Sequence, residues 1–148
     1  MTPKARILFL IIGALRLLLA GIFGWAGIAK LITPQTFSEG VAAFQIFPSA
    51  TINIIAMAVP ALEIVAATLL LSPWWHRQGS LICVALSTAF IALFVWAGVH
   101  GISVSCSCFG SFAGVTSAQI GILRGAALLA SSAFLYLHHL RSTVSAKG

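Results

Sequence analysis

Apolar residues run along this chain in four long stretches, each close to the roughly 20 residues that a helix needs to cross a bilayer. They extend from about Ile7 to Ile32, Thr51 to Leu71, Gly79 to Val99, and Ser117 to Leu137. Each exceeds the length of an ordinary strand, and none is interrupted by a cluster of turn residues. Between the first two lies a segment of different character, Thr33 to Pro48, too short and polar to span. Its Phe37, Val41, Phe44 and Phe47 recur at helical spacing. This pattern predicts a short amphipathic helix lying on the outer surface. The expected fold is an all-α integral membrane bundle of four transmembrane helices plus that surface helix, a single membrane domain over residues 1–148.

Composition sharpens this picture. Apolar residues make up 60% of the chain and charged residues 7%, against about 25% charged in an average soluble domain. A soluble enzyme or a nucleic-acid-binding domain is excluded, because too few polar side chains exist to cover its surface. The net charge of +6 comes from eight basic residues against Glu39 and Glu63. These basic residues form no cluster of the kind that grips nucleic acid. A basic start followed by an apolar run also describes a signal peptide. Here the run is too long, Arg16 interrupts it and no A-x-A site follows, so an uncleaved span is expected.

Basic residues also predict orientation. Lys4 and Arg6, Arg77 in the 72–78 connection, and Arg141 and Lys147 in the tail all fall on one side. Lys30 alone flanks the other two connections. Both termini are therefore expected in the cytoplasm, with 33–50 and 100–116 outside. Trp74 and Trp75 suit the inner interfacial belt and Trp96 the outer one.

Ionisable groups at membrane depth are costly and are usually paired. Arg16 and Glu63 lie about 14 and about 12 Å from the cytoplasmic ends of their spans, at 1.5 Å per residue. Matching depth and opposite charge predict that Glu63 pairs with Arg16, with Arg124 as a second donor. Such a pair either fixes helix packing or borders a site for an anionic or quinone-like ligand; the cofactor is left open. Lys30, fourteen residues after Arg16, returns to nearly the same helix face. It is expected to snorkel to the interface rather than line the interior. Gly121 and Gly125 form a G-x-x-x-G step, and Gly21, Gly24 and Gly27 thin the outer half of the first span, which predicts close packing. Pro60, one turn before Glu63, is expected to kink its span and free a carbonyl near the charge.

Cys83 reads as a small buried hydrophobe. Cys106 and Cys108 differ from it, lying one residue apart in an outer connection, S-V-S-C-S-C-F-G. In a bacterial cell that connection would face the periplasm, where disulfides form. A bond across one residue closes a strained ring, and strain favours exchange. Paired thiolates also hold soft metals such as Cu(I), and an inert bond is a third reading. His100 would lower a thiol pKa only if it approached. A zinc site is not expected, for want of further ligands on that face. The pattern leaves open whether the protein is an enzyme.

The order R-L-L-L-A-G-I-F-G-W-A-G-I-A-K-L from Arg16 to Leu31, P-A-L-E from Pro60 to Glu63, C-S-C-F-G from Cys106 to Gly110, and then Arg124 resembles the MauE family of methylamine-utilisation proteins. It also resembles the wider group of small DoxX-like membrane proteins, from which the C-x-C-F-G element separates it. The likeness covers nearly the whole chain. It implies a multi-pass protein of the bacterial inner membrane that helps mature periplasmic methylamine dehydrogenase, whose small beta subunit is rich in disulfides. It further implies a periplasmic thioredoxin-like partner, MauD, in the same system. The leading expectation is a thiol–disulfide relay through Cys106 and Cys108, acting on beta-subunit processing, transport or disulfide formation. The alternatives are a non-enzymatic membrane scaffold or transport factor, and a soft-metal carrier.

Overall fold

The computed structural model describes residues 3–102 and 118–145. Five helices follow in order: α1 (Pro3–Ile32), α2 (Pro34–Ala43), α3 (Ser49–Leu71), α4 (His76–Val99) and α5 (Ala118–Ser145). There is no strand among the described residues. Among the described residues, four helices are long and apolar enough to cross a membrane, over Arg6–Ile32, Ser49–Leu71, His76–Val99 and Gln119–His138. Each end lies within three residues of the expected span. Large apolar side chains such as Phe9, Met57 and Leu123 stay exposed in the isolated chain. That is unfavourable in water and ordinary against lipid, and the chain is a multi-pass membrane protein.

Prolines set the breaks. Thr33 precedes Pro34 and leaves the helical region at φ −124, ψ 64, as the residue before proline tends to do. Pro34 then opens α2, where its missing N–H costs no helical bond. Ser72, before Pro73, is extended in the same way and ends α3. Gln45 takes a positive φ of 56 after α2, turning the chain back toward the start of α3.

The spans pack as consecutive antiparallel neighbours. α1 lies mainly on α3, α3 on α4, and α4 on α5, while α1 and α5 meet over few residues. One core cluster joins Leu19 and Phe23 of α1, Ala66 and Leu70 of α3, Cys83 of α4 and Leu135 of α5. Cys83 is fully buried there, the small apolar role expected of it. The glycine step behaves as anticipated too. A Cβ on Gly121 would stand 2.6 Å from the Phe94 ring, and one on Gly125 would stand 2.8 Å from Ile91 Cγ1. Of the glycines in α1, Gly24 and Gly27 face α3, whereas Gly21 meets nothing within 4 Å.

The connecting helix α2 is amphipathic, but its apolar face is turned toward protein. Phe37 and Val41 pack on Ala56 near the start of α3, with Phe47, Ile52 and Val59 around them. Phe44, just past α2, meets Ala97 and Ile102 beside the end of α4. The helix therefore caps one end of the bundle and spends its apolar residues there. It is also shorter than the segment read from the sequence, because the chain turns at Gln45 before Phe47.

Candidate intramembrane site

Lys30 lies in the last turn of α1, where a lysine has a short path to the interface. It takes the opposite path. Side chains on a helix lean toward its N-terminus, so the ammonium of Lys30 points back into the bundle. Glu63 stands opposite, about 12 Å from the end of α3 at 1.5 Å per residue. Lys30 Nζ donates to Glu63 Oε1 at 2.6 Å and to Oε2 at 2.8 Å. Lys30 is 1% exposed and Glu63 4%, so each charge depends on the other for solvation. The rings of Phe37 and Phe90 flank the ammonium at 5.4 and 5.7 Å. Both distances are within the range of cation–π attraction, which strengthens where water is excluded. Gly27 makes this approach possible. A Cβ there would fall 2.8 Å from Ile64 Cγ1, 3.0 Å from the Pro60 carbonyl oxygen and 3.3 Å from Glu63 Cβ.

This arrangement corrects two expectations. Glu63 pairs with Lys30 rather than with Arg16, and Lys30 does not snorkel outward. Arg16 is occupied elsewhere. Its Nε and Nη2 donate to the Leu70 carbonyl at 3.0 and 2.7 Å, and Nη2 also reaches the Ser72 carbonyl at 3.0 Å. These oxygens sit at the C-terminal end of α3, where carbonyls lack helical donors and the helix dipole is negative. Equal depth was a poor guide to pairing, because it ignored the stagger between helices. Gly27, not Arg16, lies level with Glu63. The missed signal was the lean of a side chain near a helix C-terminus, together with an aromatic helix beginning four residues later to cover it.

The pair borders a cleft of about 60 Å³. Its walls come from all four spans, with Phe23 and Lys30 on α1, Glu63 on α3, Ser87 and Phe90 on α4, and Arg124 on α5. The structure thus brings three of the expected charges, Lys30, Glu63 and Arg124, to one cleft and leaves Arg16 outside it. Ser87 is 3% exposed and its hydroxyl has no hydrogen-bond partner. No reading of the sequence had marked it.

The expected redox pair, Cys106 and Cys108, lies outside the described residues. The chain leaves α4 through Ile102, whose N–H donates to the Ala97 carbonyl at 2.9 Å, and returns at Ala118. Ile102 packs in the cluster with Phe44, so the connection departs from the end of the bundle that α2 caps. His100 bonds through Nδ1 to the Trp96 carbonyl oxygen at 3.0 Å and stacks on the Trp96 ring, with centroids 4.0 Å apart.

Fold and site define a small helical membrane protein that keeps a lysine–carboxylate pair among its spans. The family described as Methylamine utilisation protein MauE matches residues 6–138, nearly the whole chain, and the chain belongs to the MauE family. Membership implies a role in methylamine utilisation. Neither a comparison with curated proteins nor one with solved structures returns a match.

Proposed function

We propose that this protein is an inner-membrane component of a thiol–disulfide relay that matures a periplasmic client, in this family the beta subunit of methylamine dehydrogenase. The observation that carries this reading is the Cys106–Ser107–Cys108–Phe109–Gly110 run between α4 and α5 of a MauE-family protein. Only a thiolate attacks a disulfide. One cysteine attacks the partner's disulfide and expels one partner sulfur as a thiolate, leaving a mixed disulfide. The second cysteine then attacks its neighbour's sulfur, which closes the Cys106–Cys108 bond and frees the partner as a dithiol. The reverse sequence oxidises the partner instead. A soluble thioredoxin-like protein of the MauD kind fits this exchange. The intramembrane residues Arg16, Lys30, Glu63 and Arg124 serve to hold the bundle that presents the cysteines.

Charge supports a periplasmic position for the pair. Lys4 and Arg6 at the start of α1, Arg77 at the start of α4 and Arg141 near the end of α5 lie at the helix ends opposite α2. At the α2 end the lone lysine, Lys30, is withdrawn into the bundle and neutralised. The positive-inside rule then favours cytoplasmic termini. Reporter fusions after residue 75 and at the C-terminus are expected to read cytoplasmic, and a periplasmic signal from either would reverse the assignment.

The functional test is Cys106→Ser and Cys108→Ser in cells that make the client. Both variants should accumulate in the membrane and fail to mature the client, and one should trap a mixed disulfide with a thioredoxin-like protein. Full maturation in the double variant would leave a non-enzymatic scaffold in place of the relay. Loss of Cu(I) binding without a mixed disulfide would point to a metal carrier.

A further inference from the structure

We propose that the interior of the bundle binds ordered water, held in the cleft by Ser87 and the Lys30–Glu63 pair and continued along the α4–α5 seam to Ser132. This water site is independent of the cysteine chemistry. A helical serine or threonine can bond back to a carbonyl of its own preceding turn. Thr68 and Thr88, both exposed, do so, because lipid offers a hydroxyl no partner. The buried Ser80 does so as well, to His76. Ser87 and Ser132 do not. They are 3% and 0% exposed, and neither hydroxyl has a hydrogen-bond partner within the protein. A buried hydroxyl left in that condition bears the full cost of its desolvation, and most are satisfied by protein or by ordered water.

The two hydroxyls lie close in the bundle. Gly121 meets Phe94 and Gly125 meets Ile91, which sets the antiparallel register of α5 on α4. Seven residues past Gly125, Ser132 falls level with Val84, about 4.5 Å along the axis from the level of Ser87 at 1.5 Å per residue. Leu128 and Leu135, one turn to either side of Ser132, pack with the cluster that contains Cys83 of α4. Ser132 therefore faces the same seam as Ser87, on the side away from α2. The cleft supplies what water requires. One water takes about 10–15 Å³ and two to four polar partners, and the cleft of about 60 Å³ has room for a few. Lys30 gives Glu63 two N–H groups, one to each carboxylate oxygen. An ammonium has a third N–H, and each carboxylate oxygen a further lone pair. Ser87 lines the same cleft and both donates and accepts. Water matches all of these groups, whereas an apolar chain matches none. The pair is closed to bulk water, but ordered water inside a fold is part of its structure, and ionisable groups within spans commonly border it. Held in this way, the protons of the pair exchange with water although both side chains are buried.

The test places the full chain in lipid nanodiscs and follows NMR magnetisation transfer from water protons and, separately, from lipid acyl protons. Water should reach the Lys30, Ser87 and Ser132 side chains well above the level at Leu19 and Leu70, which are fully buried in the apolar core. Ala26→Leu and Leu128→Phe fill the cleft from two sides and should abolish the transfer at Lys30 and Ser87. Either suffices if the other fails to fold. Stability is the second readout. Removing an unbonded hydroxyl from a dry interior raises stability, whereas removing one that holds water does not. Ser87→Ala and Ser132→Ala should therefore leave the melting temperature unchanged or lower it, and a rise in both would overturn the proposal. So would transfer at Lys30 and Ser87 no greater than at Leu19 and Leu70, or acyl-proton transfer in its place, which would assign the cleft to lipid. Transfer that persists in a folded filling variant would overturn it too, and transfer that misses Ser132 would remove the seam from it.

Discussion

Two basic residues on α1 are drawn inward and are satisfied in different ways. Arg16 rests on backbone oxygens of Leu70 and Ser72 at the end of α3, whereas Lys30 holds the carboxylate of Glu63 well inside it. The difference follows from shape and depth. A guanidinium is a planar fork of donors and suits a pair of carbonyls at a helix terminus. Those carbonyls are neutral, and Arg16 is only partly buried, so its charge keeps some access to the surroundings. An ammonium is a compact charge. At 1% exposure it needs a full counter-charge, and α3 provides its lone acid. The first contact anchors a helix end; the second fixes the register of α1 against α3 and shapes the cleft.

The strongest test of this difference removes one member of the pair. Glu63→Gln leaves Lys30 as an unpaired buried charge, at a cost of about 3–5 kcal/mol. Poor membrane accumulation and early thermal unfolding in detergent are the expected result, and wild-type stability would mean that Lys30 does not depend on Glu63. Next in size is Gly27→Ala. Its Cβ meets Ile64 and the Pro60 carbonyl at 2.8 and 3.0 Å, so α1 must move from α3, an overpacking cost of about 1–3 kcal/mol. Thermal unfolding would show it, and an unchanged midpoint would mean that the helices are not so close.

Arg16→Met should cost less, about 1 kcal/mol, because carbonyls at a helix end can turn to interfacial water. A penalty as large as that of Glu63→Gln would erase the distinction between the two sites. Phe37→Leu is expected to have the smallest effect, up to about 1 kcal/mol from one cation–π contact. Its effect should shrink further once Lys30 is replaced by Met, and an equal effect in both backgrounds would show simple packing.

The fold was legible because length and apolarity decide it. Runs such as Ile7 to Ile32 have the length and apolarity of a spanning helix. Cys83 and the Gly121–Gly125 step were also readable, since each depends on one residue type in one environment. The pairing was not. It depends on how far α1 is shifted along α3, and counting residues from the span ends could not supply that shift. Lys30 was misjudged because the sequence shows its distance from the helix end but not the direction in which its side chain leans. Ser87 was invisible for another reason. A serine among apolar residues ordinarily bonds to its own helix, and only the structure shows that this one does not.

Glu63 belongs to Lys30 and not to Arg16. Double-mutant cycles measure this directly, comparing unfolding of Glu63→Gln with Lys30→Met and of Glu63→Gln with Arg16→Met, each against its single variants. A buried pair replaced by apolar side chains is often no less stable than the original. Lys30→Met should therefore rescue most of the loss caused by Glu63→Gln, and the cycle with Arg16 should be additive within about 0.5 kcal/mol. Rescue by Arg16→Met together with additivity for Lys30→Met would assign Glu63 to Arg16 instead.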